Sequence, residues 1–361
     1  MPAPHLASTL LLAAGLAFAQ TAPEEPPLVT FHSQTRLVLV PFRVSRGKNY
    51  VRDLRLSDVT LLDDGKPREF TIFDSPATQG RMPLELVLLF DTNPAIEYFW
   101  DPVEVFRFVP QWNEAMTQAI LEKDIADVRI SVYRCAGQRL FRVSRATTDA
   151  RQITSAFQRI LRPELLTPAT GTQAITLSLP GRRDQVGRGP FTNDYPTSYF
   201  VSAEQRGWPM EAAIGVLNDV ASAQDKVSRV MVMFSEGIGA TTTIPEDVGN
   251  EALDLGIPLY PVATDYKNHL HPGVYPRNLF RMRQFEALGK MTGGRSVEYT
   301  QVDAATLSKI LESVRDDGLA QYVVGFVPSS AGGTSKEHRL EVRLKSKSSG
   351  TLEGGKRRAI Y

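Results

Sequence analysis

The sequence contains a single cysteine, Cys135. One cysteine cannot close an internal disulfide, so the fold must be held by its core. Cys135 follows the alternating run Val128 to Tyr133, where a small buried hydrophobe fits better than a nucleophile. No stretch after the N-terminal segment reaches the ~20 apolar residues of a membrane-crossing helix. Excess charge is lacking too. A net charge of +1 speaks against a nucleic-acid binder and against a general pull toward anionic membranes. The sequence has no G-x-S-x-G elbow of a serine hydrolase. Gly289 to Ser296 comes within one residue of a phosphate-binding loop, but a helix is expected before it and a strand after it, the reverse of what such a loop needs. Glycine at a helix C-terminus accounts better for Gly293 and Gly294.

Export is the first positive signal. Leu6 to Phe18 is a short apolar run ending in Ala17-Phe18-Ala19, a small-x-small cleavage pattern, and no cysteine follows to carry a lipid. Residues 1–19 therefore read as a signal peptide, although the n-region has His5 and no Lys or Arg. The mature chain is expected in the periplasm, at the cell surface or outside the cell. Residues 20–27, rich in Pro and Glu, read as a linker.

The 361 residues suggest roughly two domains. Residues 28–77 carry strand-like runs at Arg36 to Val44, Val59 to Leu62 and Glu69 to Phe73, with a hairpin turn at Asp63-Asp64-Gly65-Lys66. From Leu84 the pattern changes. Leu84 to Phe90 is almost wholly apolar and ends in Asp91, as expected of a central parallel strand buried on both faces. Strands at Val128 to Cys135, Arg229 to Phe234, Ile257 to Ala263 and Ser296 to Tyr299 alternate with helices. The helices are expected at Val103 to Glu122, Gln152 to Leu161 (capped by Asp149), Met210 to Ala223, Pro245 to Leu255, Leu279 to Met291 and Ala304 to Leu319. Such alternation implies an α/β fold, a doubly wound and mainly parallel sheet over residues 83–320. Ligands of such sheets bind at the carboxyl ends of the strands, where strand order reverses. That rule selects Asp91, Ser235-Glu236-Gly237 and Thr264-Asp265.

After Gln321 come strands at Tyr322 to Val327 and His338 to Leu344. Residues 321–361 and 28–77 are expected to join into one small β-sandwich, since two or three strands alone are marginal. Residues 163–207 break the repeat as a long loop rich in Gly, Pro, Arg and Ser/Thr. It carries Arg182, Arg183, Arg188 and Arg206 among Phe191, Tyr195, Tyr199, Phe200 and Trp208, types that anchor protein interfaces and that equally pack a loop onto its own domain.

Leu84 to Phe90 followed by Asp91-Thr92-Asn93-Pro94-Ala95 resembles the first strand and metal loop of von Willebrand factor A (VWA) domains. Ser235-Glu236-Gly237 resembles their Thr-Asp-Gly loop, and Leu288 to Arg295 a helix-to-strand corner near the end of many of them. Asp63 to Pro67 and Tyr322 to Pro328 resemble the flanks of secreted A-domain proteins of the type described from Acidobacteria. The resemblance implies a VWA-like fold and protein binding through a metal-ion-dependent adhesion site. In that family Asp-x-Ser-x-Ser, a Thr and an Asp hold Mg²⁺, which then accepts a partner's carboxylate. Here Asp91 matches the first Asp. Asn93 replaces one Ser and keeps a ligand oxygen, Ala95 replaces the other and has none, Thr172 is a match of uncertain register for the Thr, and Glu236 replaces the third-loop Asp. The expected metal set is thus Asp91, Asn93, Thr172 and Glu236, a degenerate site holding Mg²⁺ or Ca²⁺ weakly or not at all. Ca²⁺ tolerates the substitutions better because its geometry is looser.

The expected function is binding of a protein partner in the envelope or outside the cell, without catalysis. Two alternatives stay open. Asp265, His269 and His271 form a second cluster of metal-ligand types, which would suit a metal-dependent hydrolase. The domain would otherwise be a purely structural envelope module.

Overall fold

The computed structural model describes residues 37–76, 83–91, 114–115, 128–136, 139–161, 172–175, 209–223, 227–235, 245–264, 275–299, 304–328, 336–346 and 350–360. The expected signal peptide and linker lie outside the described residues. So do most of the 163–207 loop and all of the 103–122 helix except Glu114 and Ala115, which are helical.

The first strands are β1 (Val38–Arg46), β2 (Asn49–Tyr50), β3 (Val59–Asp63), β4 (Lys66–Arg68) and β5 (Ile72–Asp74). The next group is β6 (Leu84–Asp91), β7 (Val128–Ala136), β8 (Arg139–Thr147), α1 (Ala150–Leu161), β9 (Gln173–Ile175), α2 (Pro209–Ala221) and β10 (Ser228–Phe234). Then come α3 (Pro245–Asp254), β11 (Leu259–Thr264), α4 (Tyr275–Thr292), β12 (Val297–Tyr299) and α5 (Ala304–Leu319). The chain ends with β13 (Tyr322–Phe326), β14 (Glu337–Leu344), β15 (Thr351–Gly354) and β16 (Lys356–Ile360).

The class is α/β, with mixed sheets. The seven-stranded sheet has the order β12-β11-β10-β6-β7-β8-β9. Pairing is parallel from β12 through β7, then antiparallel from β7 to β8 and from β8 to β9. The sheet, expected to be mainly parallel, thus has an antiparallel edge of β8 and β9. The sequence interval between β7 and β8 is far shorter than the crossover that a parallel return needs.

β6 sits at the centre and every one of its residues is buried. Leu84, Leu86, Leu88 and Phe90 share one core cluster with Ile153 and Phe157 of α1 and Leu307, Leu311 and Val314 of α5. Val87 and Leu89 share another with Val216 and Leu217 of α2, Val248 of α3 and Leu288 of α4. Each buried Leu or Val contributes about 1.5–3 kcal/mol, so both faces repay the backbone order of the strand. The one charge in the run, Glu85, is in register with Arg229 of β10 and accepts from its Nε at 2.9 Å. A buried carboxylate is tolerable only with such a partner.

The two smaller sheets each combine strands from both ends of the chain. One has the order β15-β1-β13-β5 with β2 on β1, the other β16-β14-β3-β4. They share a core of Val40, Phe42, Val44, Leu61, Tyr322, Val324, Phe326 and Val342. The hairpin at Asp63 to Lys66 joins β3 to β4, one strand earlier than the run at Glu69 to Phe73. Its central residues, Asp64 and Gly65, have φ of 50° and 81°, the left-handed pair that a two-residue hairpin needs. At the far corner, Gly293 (φ 82°) ends α4. A Cβ on Gly294 would lie 2.0 Å from the carbonyl oxygen of Leu259, so this corner is built for close backbone packing.

A buried charge network joins β1 to the α/β layers. Arg43 of β1 donates to the hydroxyl of Tyr260 in β11 at 2.6 Å and pairs with Asp317 of α5 at 3.5 Å. Tyr50 donates to Asp317 at 2.5 Å, and Arg295 pairs with the same carboxylate at 3.2 Å. Burial pushes the Tyr50 phenol up to about 12, and its bond to Asp317 adds to the shift. Burial first, then Asp317, also raise Tyr260, against the opposing pull of Arg43.

Two outcomes follow from this network. Asp317→Ala removes the buried carboxylate of Arg43, leaving it the more exposed Glu353, and should lower unfolding stability by up to about 3–5 kcal/mol, read from urea denaturation at neutral pH. The Tyr50 contribution is whole below pH 10, where the phenol is protonated in both states. As pH rises from 10 toward about 12 the unfolded chain loses the proton first, so stability falls. The urea midpoint should drop across that window, and less steeply in Tyr50→Phe.

Candidate functional site

Strand order reverses between β6 and β10. From β6 the chain runs outward through β7 to β8, then returns to the other side of β6 as β10 and continues to β11 and β12. The crevice at the carboxyl ends of β6 and β10 is where the switch-point rule places a ligand. Asp91 is the last residue of β6, and Ser235 follows the last residue of β10. The parallel register pairs Phe90 with Phe234 and so brings these two side chains to the same level.

Ser235 Oγ donates to Asp91 Oδ2 at 2.7 Å. Both residues are buried, Asp91 at 8% exposure and Ser235 at 6%. The Ser235 backbone N–H continues the ladder to Val262 O at 3.2 Å, which fixes the hydroxyl's approach. Beneath them Phe90 stacks on Phe234 with centroids 4.9 Å apart and meets Phe157 edge-on at 5.9 Å. The carboxylate therefore stands at the sheet rim on an apolar floor. There, low polarity strengthens both the hydrogen bond and any interaction with a cation.

Thr172 is placed elsewhere. Asp91 is level with Cys135 in β7, Cys135 with Leu140 in β8, and Leu140 with Ile175 in β9. Thr172 thus lies three strands over and three residues back, roughly 14 Å across and 10 Å along the sheet at ordinary strand spacings. Ligands of one Mg²⁺ sit about 2.1 Å from the ion, so Asp91 and Thr172 do not share one. Thr172 Oγ1 instead accepts from Arg159 Nη1 at 3.4 Å, a cationic neighbour that disfavours a second cation. Asn93, Glu236, Asp265, His269 and His271 lie outside the described residues. Cys135 is fully buried beside β6, in keeping with a core residue.

Ser235, which the strand-end rule selects with Glu236 but the expected metal set leaves out, is the side chain that contacts Asp91. The signal was its position directly after an apolar strand. Only the β6–β10 pairing shows that this position faces Asp91. A cavity of about 370 Å³ opens beside Tyr50, Asp317 and Glu353, with Lys48, Lys309 and Asp316 on its walls. Its lining includes none of the residues that the motifs single out.

No family model matches the chain, and no curated protein matches its sequence. Several solved structures show limited similarity to the chain. Proximal thread matrix protein 1 from the mussel byssus has a TM-score of 0.40 at 10% identity over 66% of this chain, which spans 48% of that one. The TFIIH p34 N-terminal domain has a TM-score of 0.39 at 10% identity, covering 65% of this chain and 99% of that one. The ArnB paralog VWA2 from Sulfolobus acidocaldarius has a TM-score of 0.37 at 10% identity, covering 90% of this chain and 75% of that one. Among the described residues no helix is long and apolar enough to cross a membrane.

Removing the hydroxyl tests the rim directly. Ser235→Ala takes a donor from a buried carboxylate and should cost about 1–3 kcal/mol, measured by urea denaturation at pH 7.

Proposed function

We propose that residues 83–320 form a VWA-type domain that binds a protein partner through the rim at the carboxyl ends of β6 and β10. The observation that carries this reading is the Ser235–Asp91 hydrogen bond at the point where strand order reverses. It supports the reading because Asp91 is also the acid at which the sequence resembles the adhesion-site loop. On this reading the metal site is degenerate. Asp91, Asn93 and Glu236 offer oxygen atoms, Ala95 offers none, and Thr172 is too distant. Three oxygens with no enforced octahedron favour Ca²⁺ over Mg²⁺ and leave the affinity low, on the order of 10⁻³ M. The protein is exported and acts in the periplasm, at the cell surface or outside the cell, as a binding protein and not as an enzyme. The segment 163–207 carries Arg and aromatic residues, types that anchor protein interfaces.

Calorimetry with Ca²⁺, Mg²⁺ and Mn²⁺ tests the metal part, and capture of partners from envelope extracts tests the binding part. Ca²⁺ should bind in the millimolar range and more tightly than Mg²⁺, and Asp91→Ala should abolish both Ca²⁺ binding and partner capture. If the variant folds, binds no metal and still captures the same partner, the rim reading fails. Capture of no partner by either protein would favour a purely structural module.

A further inference from the structure

We propose that Asp63, Asp64 and His338 form a site for a divalent transition-metal ion of the zinc class on the smaller sheets, separate from the rim. The three ligand atoms lie within 4.8 Å of one another. They come from distant parts of the chain, 275 residues apart, and meet because β3 pairs antiparallel with β14. His338 Nδ1 stands 2.8 Å from Asp63 Oδ1 and 3.4 Å from Asp64 Oδ2.

The partners behind these groups aim them. Asp63 Oδ2 is engaged by Arg68 Nη1 at 3.4 Å, which turns Oδ1 toward the imidazole. Asp64 Oδ1 accepts from the Arg339 backbone N–H at 3.0 Å, while the Asp64 N–H donates to Arg339 O at 2.9 Å. That reciprocal clamp fixes the turn against β14 and points Oδ2 at His338. The Arg339 N–H also holds the Asp64 carboxyl below the ordinary carboxylate range, helped by Lys336 and His338. Outer contacts of this kind orient the carboxylates of metal sites.

The chemistry of the set selects the ion. One imidazole nitrogen with two carboxylate oxygens suits Zn²⁺ and its first-row neighbours, whereas Ca²⁺ and Mg²⁺ prefer all-oxygen shells. With bonds of about 2.0–2.2 Å, flanking ligand atoms sit roughly 3–4 Å apart, so small movements bring these three around an ion. A metal ion binds the lone pair of Nδ1, so it would take the place of the contact between Nδ1 and Asp63 Oδ1. Water fills the remaining coordination positions. Two cations compete: Arg68, which holds Asp63 by the oxygen turned away from the imidazole, and the Lys336 ammonium, 3.6 Å from the ligand oxygen Asp64 Oδ2 on a side chain 72% exposed and able to swing away.

The test is competition for Zn²⁺ against a chromophoric chelator, using the full mature chain. The wild type should bind one Zn²⁺ at this site, and His338→Gln and Asp64→Asn should each weaken it roughly 10–100-fold. Lys336→Ala should tighten binding, a gain that a misfolded variant cannot mimic. Asp91→Ala and the double variant His269→Ala/His271→Ala should leave this site's affinity unchanged, so failure of the rim reading and failure of this one are separable. Zn²⁺ binding that is absent from the wild type, or undiminished in folded His338→Gln and unimproved in Lys336→Ala, overturns the proposal. The three groups are then an ion-paired clasp between β3 and β14.

Discussion

Arg43 is the interaction on which the arrangement of layers depends. Its guanidinium is buried, and a buried cation without compensation is too costly to persist. Burial pulls its pKa down, yet Tyr260, Asp317, Tyr50 and Glu353 together leave it raised. Each partner comes from a different element: β11, α5, β2 and β15. Full compensation therefore requires all four elements to be in place at once, which makes the network a register for the whole fold. Asp317 is well placed for this, because α5 leads within a few residues into β13, which pairs with β1. A shift of α5 along the sheet would break the charge pair and disturb the β1–β13 pairing.

A second fixing point acts from the other end of the smaller sheets. Arg357 of β16 donates to the carbonyls of Leu39 and Leu253 and pairs with Asp254 at the end of α3. Its buried side chain alternates with the exposed Lys356 and Arg358. Arg43 and Arg357 thus hold β1 to α5 and to α3, helices that pack in different core clusters.

The legible parts of the fold were those with strong local signals. β6 was plain from a run buried on both faces, α1 from Asp149, whose carboxylate accepts from the Arg151 N–H at 2.8 Å, and the end of α4 from Gly293 and Gly294. β15 and β16 went unread because Thr-Leu-Glu-Gly and Lys-Arg-Arg-Ala-Ile carry little apolar alternation. An inward arginine supplies what a hydrophobe would normally signal. β9 is three residues long inside an irregular segment, too short for any period to register. In the site, Asp91 was visible as the polar end of an apolar strand. Its partnership with Ser235 depends on a pairing across 144 residues, and the separation of Thr172 from Asp91 depends on counting register across three strands. Local composition carries neither.

The two candidate ligand sets differ in a way that bears on how each would discriminate. The donor types in the ligand set proposed around Asp91 are oxygens, and the Ser235 hydroxyl already donates to its carboxylate. A cation arriving there competes with that hydrogen bond and gains no nitrogen ligand, so only weak, hard-ion binding is open to it. At His338 the donors include a nitrogen, both carboxylates are fixed by contacts through their other oxygen, and the cation beside the ligand oxygen of Asp64 is an exposed lysine, while Arg68 sits on the oxygen of Asp63 turned away from the imidazole. On the proposed reading, the substitutions at the rim remove ligand atoms without supplying softer ones, which moves recognition there from metal to surface complementarity. A rim that bound a partner by surface contact would need a fixed platform more than an ion, and the buried arginines tie β1 to β11, α5 and α3.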